Sequence, residues 1–141
     1  MNNATPLHIR FAIPLIAIAV AGCGKSGIER VHVSGKATYD GQPIEIGQIR
    51  FVPVSPATGP ITIDRIENGQ YETATTGGVT VGTHRVELRA YDSHEYETAP
   101  RVAGSASVKQ LLPDKYNRKS ELTLGVKSGD GSIERDFELT K

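Results

Sequence analysis

From Val31 onward the chain alternates apolar and polar residues with a period of two, and this pattern restricts it to a strand-built body. In Val31-His32-Val33-Ser34-Gly35-Lys36-Ala37-Thr38-Tyr39 the odd positions are apolar or small and the even ones polar, as in a strand with one buried face. Gln48 to Val54 reads as a second strand, with Pro53 marking an edge or a strand end because it cannot donate to a ladder. Segments 61–66 and 70–75 flank Asn68-Gly69, the strongest short hairpin signal, and Asp40-Gly41 and Asp130-Gly131 mark further turns. Residues 83–91 place Val86, Leu88 and Ala90 inward and Arg85, Glu87 and Arg89 outward. Leu122, Leu124 and Val126 form another inward set, and residues 133–139 read as a last strand with Phe137 and Leu139 inward. About seven short strands and no capped amphipathic helix predict an all-β fold, an antiparallel β-sandwich. Its expected core is Val31, Val33, Ile49, Phe51, Tyr71, Val86, Leu88, Leu122, Leu124, Phe137 and Leu139. The stretch Asp92 to Lys119 lacks clear alternation; Lys109 to Pro113 within it predicts one helical turn or a short edge strand.

The N-terminus follows different rules. A polar start with the cation Arg10, the apolar run Phe11 to Val20, and the small residues Ala21-Gly22 make up an export signal. A run of ten residues interrupted by Pro14 is too short for a mature spanning helix, which needs about 20. Val20-Ala21-Gly22-Cys23 resembles the bacterial lipobox. The resemblance implies cleavage between Gly22 and Cys23, a diacylglycerol thioether on Cys23 and acylation of the new amine. Each buried methylene contributes about 0.8 kcal/mol, so two or more chains anchor stably. The expected organisation is residues 1–22 as signal, 23–30 as lipidated tether and 31–141 as the sandwich domain, exported and membrane-anchored. Gly24 after the cysteine permits transfer to the outer membrane under the sorting rule of well-studied double-membrane bacteria. Gly24-Lys25-Ser26 also matches the end of a relaxed phosphate loop, but that motif works only between a buried strand and a helix, and neither flanks it.

Charge narrows the function classes. The 141 residues carry 16 Lys+Arg and 16 Asp+Glu, and removing the signal with its single Arg10 leaves −1. Nucleic acid demands a clustered basic surface and is not an expected partner. One cysteine excludes an intramolecular disulfide and a cysteine-based zinc site.

A wider resemblance follows from Val33-Ser34-Gly35-Lys36-Ala37-Thr38-Tyr39-Asp40-Gly41-Gln42-Pro43-Ile44, Gly47-Gln48-Ile49-Arg50-Phe51-Val52-Pro53, Gly82-Thr83-His84-Arg85-Val86-Glu87-Leu88 and Leu112-Pro113-Asp114-Lys115-Tyr116 with the residues to Leu122. These segments resemble small planctomycete-type lipoproteins with a transthyretin-like, carboxypeptidase-regulatory-like sandwich. The resemblance implies seven strands, an exported location and no reaction. The hydroxyisourate hydrolases that share the transthyretin-like fold end in a Tyr-Arg-Gly-Ser type tetrapeptide, whereas this sequence reads Phe137-Glu138-Leu139-Thr140-Lys141.

No catalytic spacing emerges: there is no Gly-x-Ser-x-Gly elbow, and His32, His84 and His94 are dispersed. The chain is expected to be non-enzymatic and to need no cofactor or resident metal. The leading expectation is a lipid-anchored binding or structural module that meets membrane lipid through acylated Cys23. Envelope glycan or protein is a further candidate partner. In the second reading, loop 92–119 is a glycan or peptide receptor using Tyr91, His94, Tyr96, Arg101 and Tyr116, with Lys109, Lys115, Arg118 and Lys119 as a basic cluster around Tyr116. A third reading places a metal-assisted hydrolase at His84 and His94, although Asp92-Ser93-His94-Glu95-Tyr96-Glu97 has the spacing of neither a metalloprotease helix nor a calcium loop.

Overall fold

The computed structural model describes Met1 and residues 27–98 and 108–141. Residues 2–22 of the signal segment, Gly22 included, and Cys23 and Arg101 lie outside the described residues. Among the described residues the body is mostly β: a curled, largely antiparallel sheet with one short helix. Its strands are β1 (Arg30–Tyr39), β2 (Gln42–Pro43), β3 (Ile46–Pro53), β4 (Thr62–Glu67), β5 (Gln70–Glu72), β6 (Val79–Thr80), β7 (Gly82–Tyr91), β8 (Thr123–Val126), β9 (Ser132–Glu134) and β10 (Phe137–Leu139). The helix α1 spans Ser93–Thr98, and a 3-10 turn spans Asp114–Tyr116.

The main path through the sheet is β10-β1-β5-β4-β3-β7-β8. β3 lies between β4 and β7 along nearly its whole length, so Pro53 stands at a strand end rather than on an edge. Both Asp-Gly and Asn-Gly turns form as the sequence predicts. Asp40 and Gly41 have φ of 51° and 77°, and Asn68 and Gly69 have 52° and 74°, the paired positive angles of the tight turn that matches strand twist. The third turn sits earlier than expected: Asp130 N–H donates to Lys127 O, and Gly129 takes the positive φ.

The alternating apolar sets converge on one core. Val31, Val33, Ile49, Phe51, Tyr71, Val86, Leu88, Leu124, Phe137 and Leu139 are all buried, joined by Ile44, Ile66, Val79, Leu112 and Val126. Leu122 is only half-buried against this cluster, because it lies just before β8 begins.

Four local departures from the sequence pattern have identifiable causes. Residues 133–139 do not form one strand. Arg135 N–H donates to Ser34 O and Asp136 Oδ1 accepts from Lys36 N–H, so this dipeptide folds around Gly35 and splits the run into β9 and β10. Both pieces pair with β1 in parallel, so the sheet is not purely antiparallel. The strand after Asn68-Gly69 stops at Glu72, where Thr73 turns inward and its hydroxyl accepts from Val33 N–H at 2.9 Å. Helix α1 forms where no helix is expected, started by Asp92 Oδ1 accepting from Glu95 N–H at 3.0 Å.

Candidate functional site

The sheet's outer face, where β4, β3 and β7 run side by side, carries a row set by register: Arg65, Gln48 and Arg89 stand opposite one another. Tyr91 follows two positions after Arg89 on the same face, because side chains alternate along a strand. α1 then returns Tyr96 over Tyr91, and the rings stack with centroids 5.6 Å apart and planes 20° from parallel. The Tyr96 hydroxyl lies 3.5 Å from Arg65 Nη2.

The other wall comes from residues 108–118. Leu111 N–H donates to Ala90 O, and Gln110 pairs with Tyr91 as an isolated bridge. Leu112 drops into the core, and Asn117 Nδ2 caps the carbonyls of Leu112 and Pro113. Gln110 Oε1 accepts from Ala90 N–H at 2.9 Å, while its Nε2 is buried with no partner among the described residues. Between the walls is an open cleft of about 890 Å³. Among the described residues, Arg65, Arg89, Lys109 and Arg118 line it against one carboxylate, Asp114, whose Oδ1 lies 3.7 Å from Arg118 Nη2. The cleft therefore combines an excess of cations, amide donors and a stacked aromatic pair, a lining suited to a polar, electron-rich ligand.

A second depression, of about 810 Å³, lies over β1 and β5. Its charges are mixed, with Lys36 and Arg65 among Asp64, Glu67, Glu72 and Glu134, and its aromatic residue Tyr71 already donates its hydroxyl to Arg135 O. Burial, then the Asp136 carboxylate, push the Tyr71 phenol well above its usual range.

Of the residues singled out in the sequence, Tyr91 and Tyr96 come together in the cleft and Lys109 and Arg118 join them. His94 is exposed on α1 and does not line it. Tyr116 is elsewhere: its hydroxyl donates to Thr140 O at 2.9 Å and accepts from Thr140 N–H at 3.0 Å, with Lys115 Nζ 5.0 Å from the ring centroid. Tyr116 thus pins the last strand. Arg65, Arg89 and Gln48 escape sequence reasoning because only the pairing of β4, β3 and β7 makes them neighbours. The single signal available was the outward phase of Arg89 just before Tyr91.

His84 and His94 do not share a centre. His84 sits near the start of β7 and His94 beyond its end, roughly 20 Å apart by strand rise. His84 is fully buried, with Nδ1 3.2 Å from Gly82 O and Nε2 3.1 Å from Thr80 Oγ1. A carbonyl only accepts, so Nδ1 carries the proton and Nε2 accepts from the Thr80 hydroxyl. Burial lowers the imidazole pKa, opposed by the Gly82 hydrogen bond, which matches this neutral tautomer. Among the described residues no three His, Cys, Asp or Glu side chains cluster as metal ligands, and no helix is long and apolar enough to cross a membrane.

No protein-family model, curated protein or solved structure matches this chain. The cleft's own chemistry and the N-terminal pattern are what speak to function.

Proposed function

We propose that this chain is an exported, lipid-anchored, non-catalytic envelope protein whose strand-built body is a binding or structural module. The observation that carries the reading is the run Phe11 to Val20 followed by Ala21-Gly22-Cys23, which resembles an export core ending in a lipobox. Support for a sandwich of the transthyretin-like, carboxypeptidase-regulatory-like kind comes from the resemblance of Val33 to Pro53 to planctomycete-type lipoproteins and from the mostly β, curled sheet. Metabolic labelling with radioactive palmitate tests the anchor. Label should enter the wild-type protein and be lost in Cys23→Ser; absence of label, or equal label in both, defeats the reading.

The cleft favours a second reading, in which the same anchored module is a receptor for an envelope glycan or peptide. It stands at the end of the body remote from the chain's emergence at Arg30: β1 runs from Arg30 to Tyr39, and Tyr39 and Ser93 border one depression there. A module held at one pole presents this cleft to whatever lies beyond the membrane. Glycan arrays and peptide pull-downs with the full-length protein should show binding that Arg89→Ala and Tyr96→Ala both weaken; ligands retained equally by both variants would place recognition elsewhere.

A further inference from the structure

The described body exposes few large apolar side chains. Leaving Met1 aside, they are Ile28, Val54, Ile61, Ile63 and Leu111. Four of these five gather where the chain emerges toward Cys23.

That placement follows from contacts. Arg30, at the start of β1, pairs with Thr80 of β6, and its Nη1 donates to Gly78 O at 3.2 Å. The same Gly78 carbonyl accepts from Thr62 Oγ1 at 3.0 Å, which brings the beginning of β4 to the beginning of β1. Gly59 lies so close to Thr80 that an added Cβ would stand 2.9 Å from its Cγ2. Val54, continuing β3, donates its N–H to Thr83 O at the start of β7. In β4, Ile63 stands opposite Arg50 on the outer face, and Ile61 continues that phase, as Val54 does beyond β3. Ile28 is two residues before Arg30 and 64% exposed, and the other three are 41–44% exposed.

The chemistry of the loop agrees with its position. From Phe51 to Ile63 there are 13 consecutive residues without a formal charge, in a chain that is 23% charged. Scattered apolar residues on a surface need no explanation, but several on one pole beside an uncharged loop mark a contact surface. Seven peptide units separate Cys23 from Arg30, a reach of at most about 25 Å. An acylated Cys23 therefore keeps this pole within a short distance of the lipid surface.

We propose that Val54, Ile61 and Ile63, with Ile28, form a lipid-contacting face that seats the body on the membrane holding its anchor. This rests on the lipid-anchor reading. Contact comes from burial of apolar area in the interface and needs no anionic headgroup.

The test uses the full-length, acylated protein in phosphatidylcholine vesicles. Cys23 is the chain's single cysteine and its sulfur is blocked by lipid, so an introduced cysteine is a unique labelling site. Ile61→Cys, Val54→Cys and, on α1 at the far pole, Glu97→Cys are each labelled with an environment-sensitive nitrobenzoxadiazole probe. Probes at 54 and 61 should be blue-shifted and quenched several-fold more strongly by an acyl-chain nitroxide than the probe at 97, independently of salt. Acylated protein showing equal quenching at all three positions overturns the lipid-contacting face while leaving the anchor intact. A blue shift without nitroxide quenching, accompanied by a dimer mass on cross-linking, assigns the face to a second copy and also overturns it. Absence of acyl mass on the purified protein overturns the anchor reading itself, and the lipid-contacting face with it.

Discussion

Arg50 and Glu87 face each other across β3 and β7, with Nη1 3.1 Å from Oε2, and the Glu87 side chain is almost fully buried although it points to the outer face. Arg85 holds the other carboxylate oxygen at 2.7 Å. One carboxylate thus compensates two guanidinium groups, whose Nε atoms have no partner among the described residues. Removing one member of a buried ion pair costs about 3–5 kcal/mol, but both arginines are partly open to water, which screens the cations left behind. Glu87→Gln should therefore destabilise by about 1–2 kcal/mol in urea unfolding. A double-mutant cycle with Arg50→Met should show coupling; additive effects would mean that the pair is ornamental.

Gly35 marks the point where β1 passes from β9 to β10. A side chain there would overlap the carbonyl of Arg135, which is held by its residue's own N–H bond to Ser34 O and by the Asp136 bond to Lys36 N–H. Backbone on both sides cannot yield as a flexible side chain would. Gly35→Ala should cost at least about 2 kcal/mol, while Gly131→Ala, with open space around it, should be nearly neutral. Equal unfolding midpoints for the two variants would contradict this account.

Stability should fall on mild acidification because of His84. Burial depresses its folded pKa below the ordinary 6.5, so between those two values the unfolded chain binds a proton that the folded one does not. The contribution is complete above pH 6.5 and is lost as pH falls toward the folded pKa, at no more than about 1.4 kcal/mol per pH unit. Urea melts from pH 7.5 to 5 should show this slope in the wild type and a shallower one in His84→Gln. An unchanged slope would assign the acid sensitivity to other groups.

Asp92 is the only side chain satisfying an N–H at the start of α1 among the described residues. Asp92→Ala should leave the global unfolding midpoint almost unchanged, because α1 buries no residue, yet should weaken the helix by about 1 kcal/mol. Amide hydrogen exchange at Glu95 and Tyr96 is the readout, with several-fold faster exchange expected. Loss of the cap should also loosen the Tyr91–Tyr96 stack.

How far the sequence carries depends on the range of the interaction. Period-two alternation identifies Val31, Val33, Val86 and Leu88 as core because each strand's inner face repeats one local rule. Asn68-Gly69 and Asp40-Gly41 are legible for the same reason: the angles that they adopt are intrinsic to those residue pairs. The burial of Glu87 is not legible, since it depends on Arg50 arriving from another strand. Nor is the split at Arg135-Asp136, where an apparently continuous strand bends around a glycine a hundred residues earlier. The cleft is legible in half: Tyr91 and Tyr96 are close in sequence, whereas Arg65 joins them through two strand pairings. Tyr116 shares the loop 92–119 with Tyr96 in sequence, but its hydroxyl is committed to Thr140.

β1 has neighbours along both of its edges. β6, β5 and β2 bind one side, and β9 and β10 bind the other. It is also the strand that continues into the segment leading to Cys23. On the proposed anchoring through Cys23, a tug on that end would travel down the axis of this strand. Hydrogen bonds perpendicular to that pull stretch together on two flanks instead of parting one after another. A body held through that end would carry the tension on a strand bound along both edges.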